Sequence, residues 1–351
     1  DFAPLPYYDN PKEARRADRS QQMATATAAM ALEDAGELSS DPARCGVIYA
    51  TGVGGLQTFE EQVLVHDRKG ERRVSPFMVP MIMPNAPGAA ISMRFGLQGP
   101  NETITTACAA STHAIGYATR LIQMGYADVV VSGGTESVMS PVGMAGFQNM
   151  TALSSSGQSK PFDKDRDGFM MTEGSATLVL EEMGSAQSRG ANIYGEVLGS
   201  GSTADAHHIT APAPGGDGAL RCMQLAIEDS GLASTDIASV NAHGTSTPLN
   251  DAAEAEALSK LFGEDGPPVT STKGVTGHAL GAAGAIEATA VLLSFLHKQI
   301  PPTAGFVNRD PEMAGFNIVT GSGLEWEPGP SMSNSFGFGG HNGSIVLAPV
   351  N

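Results

Sequence analysis

Three side chains able to do acyl chemistry sit at places where strand-like runs give way to helix-like runs. Cys108 follows the Thr-rich stretch Ile104-Thr105-Thr106 and opens a helical pattern, Ala109–Met124, that stops at Gly125. Free amides and the helix dipole at such a start favour thiolate over thiol and can hold a developing oxyanion. The small neighbours Ala107, Ala109, Ala110 and Ser111 leave room for a bulky electrophile. The plain alternative is a buried, inert cysteine, which is the better reading of Cys45 and Cys222. His243 ends a strand in Asn241-Ala242-His243-Gly244-Thr245-Ser246-Thr247-Pro248. His278 lies in Lys273-Gly274-Val275-Thr276-Gly277-His278, ahead of the apolar helix Ala279–Leu296. A helix start disfavours imidazolium, so His278 is expected to stay neutral and donate a hydrogen bond. Either histidine alone reads as a turn-capping side chain. Two at junctions, with the cysteine at a third, read as one site. Lys273 offers positive charge. Glu287, on the apolar helix, needs a buried partner and is expected to orient Lys273 or a histidine, or to close a structural network.

Phe336-Gly337-Phe338-Gly339-Gly340 places aromatics among glycines. Such a loop can move over an apolar tunnel, or be a tight turn between strands. His207 and His208 follow Asp205, but no further ligand spacing supports a metal site there.

The elements that must carry these residues read as α/β, with strand-like runs at Cys45–Ala50, Ala127–Ser132, Ala176–Glu181, Ile237–Ala242 and Gly343–Ala348 alternating with helices. An internal echo suggests duplication. Glu33-Asp34-Ala35-Gly36 ends a helix before Val47-Ile48-Tyr49-Ala50-Thr51-Gly52, and Glu228-Asp229-Ser230-Gly231 ends another before Ser239-Val240-Asn241-Ala242-His243-Gly244. Paired units of this kind would bring equivalent junctions face to face. A net charge of −17 over 351 residues argues against a general nucleic-acid binder. Three dispersed cysteines give no disulfide framework and suit a reducing compartment. The apolar run Ala282–Leu296 looks too short to span a membrane and contains Glu287.

The strings Thr106-Ala107-Cys108-Ala109-Ala110-Ser111-Thr112, Asn241 to Thr247, Lys273…Gly277-His278…Gly281-Ala282-Ala283-Gly284, Pro161 to Phe169 and Asn334 to Gly340 together resemble the β-ketoacyl-acyl-carrier-protein synthases of the KAS I/II type, closest to KAS II. The resemblance implies a thiolase-like fold, two duplicated βα halves (1–181 and 182–351) in a layered α-β-α-β-α sandwich. It implies Cys108 as the acylated nucleophile, His243 and His278 as promoters of malonyl decarboxylation, and Lys273 in support. Phe338 would be the gate, with Phe336, Gly337, Gly339 and Gly340 forming its loop. The amides of Cys108 and Phe338 would make the oxyanion hole, and Thr245 and Thr247 would touch the phosphopantetheine arm. No metal or organic cofactor is implied.

The partner implied is an acidic acyl carrier protein, for which Arg15, Arg16 and Arg19, at helical spacing, form the docking expectation. Arg68, Lys69, Arg72 and Arg73 form a second, and a plain solvated face is the alternative. A cytoplasmic homodimer without membrane insertion is also implied. Relative to the family, a first strand and glycine-rich loop are absent before Asp1, Leu153–Lys160 looks short, and Thr172-Glu173-Gly174-Ser175 is less glycine-rich, with Glu173 structural. A degradative thiolase would carry a second cysteine where Phe338 stands, and a KAS III enzyme an asparagine for His278. A chain-length factor would lack Cys108. A polyketide ketosynthase would share all of these residues.

Overall fold

Every residue of Cys45–Ala50 and of Val129–Glu136 is buried, as expected of strands covered on both faces. In the first, Val47 and Tyr49 face one way, toward Ala24, Ala28 and Ile91, while Ile48 and Ala50 face the other, toward Ala110, Ala114 and Ala118. The computed structural model describes residues 2–350; Asp1, before which the family's first strand was expected to be missing, lies outside them.

Along the chain run α1 (Pro11–Ala14), α2 (Arg19–Ala35), β1 (Cys45–Ala50), α3 (Leu56–Lys69), α4 (Met78–Ile82), α5 (Ala86–Phe95), β2 (Asn101–Ile104), α6 (Ala110–Gln123), β3 (Val129–Glu136), α7 (Pro141–Asn149) and β4 (Gly174–Glu181). There follow α8 (Met183–Ser188), β5 (Glu196–Ala204), α9 (Asp217–Ser230), β6 (Ser239–Asn241), α10 (Pro248–Phe262), β7 (Val269–Thr270), α11 (Lys273–Thr276), α12 (Ala283–His297), β8 (Gln299–Ile300), β9 (Leu324–Glu325), β10 (Ser331–Gly337) and β11 (His341–Ala348).

One sheet has the order β2-β1-β3-β4 and the other β7-β6-β10-β11-β5, with β8 and β9 a separate pair. Read in those directions the two share one pattern, with two parallel pairings and then an antiparallel one. The echo seen in the sequence is therefore a repeat of topology. The helices α2 and α5 cover the outer face of the first sheet and α9 that of the second, while α6 and α12 lie between the sheets. This is the layered thiolase-like arrangement, with Ile115, Ala285, Ala288, Val291, Ile345 and Leu347 filling the middle. The central helices touch where Gly284 meets Thr112, a crossing too close for any Cβ.

The apolar helix lies within one residue of the run Ala279–Leu296 read from the sequence, its first turn being the 3-10 turn Leu280–Ala282. Leu280–His297 is 18 residues with mean hydropathy 1.5, and 61% of that window is packed inside the protein. Glu287 lies on its buried face, so its apolar character belongs to a core position between two sheets.

Candidate active site

Cys108 sits in a short 3-10 turn, Ala107–Ala109, between β2 and α6. Ala107 has φ +51°, which costs energy for a residue with a Cβ and marks a sharp strand-to-helix turn. The turn points the thiol inward, beneath Gly337. A Cβ at Gly337 would stand 3.0 Å from both the Cys108 amide nitrogen and the Thr106 carbonyl oxygen. A side chain there would force the turn carrying Cys108 to give way by a few tenths of an ångström.

His278 reaches the same point from the other half. Its Nε2 is 3.0 Å from Cys108 Sγ, and its backbone is held by Met170 and Thr172, with N to O distances of 2.8 and 3.1 Å. Phe169 packs edge-on against the ring at 4.9 Å, and His243 does so at 5.4 Å. Lys273 Nζ lies 3.2 Å from His243 Nδ1, donates to the His243 carbonyl at 2.7 Å and forms a buried ion pair with Glu287. Glu287 thus sits behind Lys273.

Burial pushes both imidazoles well below their ordinary pKa, and the Lys273 charge pushes them the same way. His278 is neutral as expected, but desolvation dominates where the helix start had been invoked. Since Lys273 is a donor, His243 Nδ1 is an acceptor and its proton sits on Nε2.

The cysteine departs from expectation. Burial pushes the Cys108 thiol up to about 12, although the Lys273 charge and the amides of Phe338 and Cys108 pull it down. In the resting site it is a thiol beside a neutral imidazole. The depth of burial, invisible in a linear sequence, outweighs the helix start. Burial raises Cys45 too, and Cys222 to about 11.

The amides of Cys108 and Phe338 face the sulfur. The Phe338 ring stacks on Phe147 of α7 with centroids 6.5 Å apart, and the Phe336 ring lies 5.9 Å from His243. Phe338–Gly340 joins β10 to β11, with Gly339 at φ +81° and Gly340 at φ +72°. It is a tight turn between two strands, one of the two readings the sequence offers, and Phe338 lies in the cavity wall. A cavity of about 440 Å³ meets Cys108, His243, His278, Thr245, Thr247 and Phe338. Thr245 and Thr247 hydroxyls are 2.9 Å apart along its wall.

The basic cluster near the N-terminus is not one helical face. The helix α1 ends at Ala14, Arg15 and Arg16 follow it exposed, and Arg19 opens α2. Arg19 is bound to Glu173, and Arg16 lies 4.3 Å over the Phe77 ring. Arg19 is therefore a structural partner of Glu173, whose charge the sequence could not assign to it. Arg68, Lys69, Arg72 and Arg73 are all exposed. The loop over Leu153–Lys160 is tied down by Asp167, which accepts from the Ser154 and Ser155 hydroxyls at 2.6 and 2.8 Å and the Ser156 amide at 2.9 Å. These bonds outweigh burial and bring its pKa down to about 2.

Sequence reasoning missed Glu254 and Glu136. Glu254, on α10, accepts the amides of His243 and Gly244 at 2.8 and 2.7 Å, and burial raises its pKa to about 7. An acid in a polar helix reads as solvated, and only the turn folded over it shows otherwise.

Residues 1–186 match the family described as Beta-ketoacyl synthase, N-terminal domain, and residues 194–307 its C-terminal domain. The chain belongs to the β-ketoacyl synthase family. Among relatives of this synthase, 3-oxoacyl-(acyl-carrier-protein) synthase 2 of Synechocystis is 44% identical, over 99% of this chain and 85% of that protein. The ishigamide ketosynthase/chain length factor structure superposes with a TM-score of 0.94 at 32% identity, covering 100% of this chain and 87% of the other. A type II polyketide ketosynthase solved with its acyl-carrier protein gives 0.90 at 30%, covering 95% and 85%.

Proposed function

We propose that this synthase lengthens acyl chains in fatty acid synthesis, condensing an acyl group held on Cys108 with malonyl-acyl carrier protein to give 3-oxoacyl-acyl carrier protein. The observation that carries the assignment of roles is the convergence of Cys108 Sγ with ring nitrogens of His243 and His278, all within 4.8 Å of one another.

Acyl transfer comes first. As Cys108 Sγ attacks the thioester carbonyl, His278 Nε2 takes the thiol proton and passes it to the departing pantetheine sulfur, leaving the imidazole neutral. The tetrahedral oxyanion faces the amides of Cys108 and Phe338. Malonyl thioester then enters and loses its carboxylate as carbon dioxide. The electron pair left on C2 is delocalised onto the thioester oxygen, where His243 Nε2–H donates. His278 joins it as the tautomer protonated on Nε2, giving up its Nδ1 proton and regaining one from solvent at Nε2 once acylation has removed the thiol there. The C2 carbon attacks the acyl-Cys108 carbonyl, the C–S bond breaks, and a proton from solvent restores the thiol. Lys273 keeps His243 in the donating tautomer, with Glu287 balancing the charge. Thr245 and Thr247 hydroxyls suit the amides of a phosphopantetheine arm, and Phe338 the gate. No step requires a metal or organic cofactor.

The proposal extends to two thiolase-like halves, 1–181 and 182–351, and to a cytoplasmic homodimer. In support, β2 is an edge strand, and α3, α4 and α5 expose Phe59, Val63, Val79 and Met93. Three free cysteines suit a reducing compartment. Docking of the carrier protein is assigned to Arg15 and Arg16, with Arg68, Lys69, Arg72 and Arg73 as the second surface. Incubation with acyl- and malonyl-acyl carrier protein should release carbon dioxide and yield 3-oxoacyl product two carbons longer; malonyl consumption without that product would overturn the reading. A polyketide ketosynthase, as in the solved type II polyketide relative above, would instead extend its own 3-oxo product repeatedly.

A further inference from the structure

Glu136, the last residue of β3, is fully buried and takes no part in the chemistry above. Its Oε2 accepts the amides of Gly52 at 2.6 Å and Gly281 at 3.0 Å, and its Oε1 accepts the Thr51 hydroxyl at 3.0 Å and the Val53 amide at 3.3 Å. Two loops from different halves cross here, the one after β1 and the one before α12. They cross so closely that a Cβ on Gly281 would strike the Gly52 amide.

The repeat of topology gives this contact a meaning. The helices α6 and α12 are each preceded by a 3-10 turn, Ala107–Ala109 and Leu280–Ala282. Both turns open on a residue of positive φ, +51° at Ala107 and +45° at Leu280. Cys108 and Gly281 are thus equivalent positions. In the first half the amide at this position faces the reacting sulfur. In the second half it faces an internal carboxylate.

We propose that Glu136 is a positioning residue for condensation, an internal anion seated in the second half's counterpart of the nucleophile turn, where it holds His278 against Cys108. The inference rests on the roles given above to Cys108 and His278. Glu136 belongs to the sheet whose strand β2 leads into Cys108, while Gly281 lies only three residues beyond His278. Its carboxylate therefore references the histidine-bearing turn to the scaffold of the nucleophile. Leu280, in the same turn, packs in one cluster with Cys108 and Phe169. Burial raises the Glu136 pKa to about 7, while the amides of Gly52 and Gly281 favour its charge. A neutral amide cannot replace it, because both oxygens accept from donors and a side-chain NH2 would face them.

Glu136 does not line the cavity, so its loss should act on the rate and spare binding. Glu136→Gln is expected to lower kcat about tenfold or more, with KM for acyl-acyl carrier protein within about twofold of the parent. Thr51→Val, which removes one donor and leaves the carboxylate, is expected to lower kcat about threefold. A folded Glu136→Gln protein with parental kcat, or with KM altered as much as kcat, overturns the proposal. Should Glu136→Gln fail to fold, parental kcat in Thr51→Val overturns it alone. Acylation of Cys108 in the parent protein, followed by mass, separates the two ideas. Its absence defeats the proposed function, and its presence with unaltered variants defeats only the role of Glu136.

Discussion

His278 Nε2 lies 3.0 Å from Cys108 Sγ although 170 residues separate them in the chain. The contact joins the turn before α6 to the turn before α12, one from each copy of a repeated topology. Two junctions that are ordinary in isolation bring a thiol and an imidazole into contact because the halves face each other.

Lys273 and Glu287 are a fully buried ion pair. Lys273→Ala strands the Glu287 carboxylate and is expected to cost about 3–5 kcal/mol of stability, besides abolishing malonyl decarboxylation. The double variant Lys273→Met, Glu287→Leu should recover most of the Tm and none of the activity. Thermal melts beside a carbon dioxide assay check this; a double variant that regains decarboxylation would remove Lys273 from the mechanism.

The protonation of Cys108 has a direct readout. Because its pKa is raised to about 12 and the thiolate is the reactive form, the thiolate fraction grows with pH throughout the accessible range. Iodoacetamide labelling of the free protein should accelerate about tenfold per pH unit from 7 to 10. A plateau below pH 9 would show the thiolate already formed in the resting site.

Much of this was legible in sequence, and for identifiable reasons. Cys108, His243 and His278 stand at junctions between strand and helix patterns, and local spacing records such junctions. The repeat was legible because helix-ending glycines at Gly36 and Gly231 precede matching strands; both have positive φ. What failed depended on distance through space. Arg19 looked free because Glu173, 154 residues away, is not visible from its neighbours. The sequence around Cys108 points to a thiolate because its helix start is local and its desolvation is not. Glu136 and Glu254 read as ordinary acids until loops from elsewhere closed over them.

Gly337 lies directly against the turn that carries Cys108. Gly337→Ala places a Cβ about 3.0 Å from two backbone atoms of that turn, displacing the amide of Phe338. The expected result is a fall in kcat of roughly 10²-fold with unchanged far-ultraviolet circular dichroism. Full activity would mean that the Phe338 amide is not an oxyanion donor.

Arg15 and Arg16 are exposed beside a chain of net charge −17. Replacing both with Glu should raise KM for acyl-acyl carrier protein roughly tenfold while leaving acyl-coenzyme A turnover unchanged. Equal losses on both substrates refute docking there, and the same pair of assays on Arg68→Glu, Lys69→Glu tests the second surface.

Intact-protein mass spectrometry after mixing with acyl-acyl carrier proteins of graded length addresses the central claim most directly. The parent protein should gain the mass of one acyl group, mapped to Cys108, and Cys108→Ala should gain none. An adduct that persists in Cys108→Ala, on Cys45 or Cys222, would contradict the account.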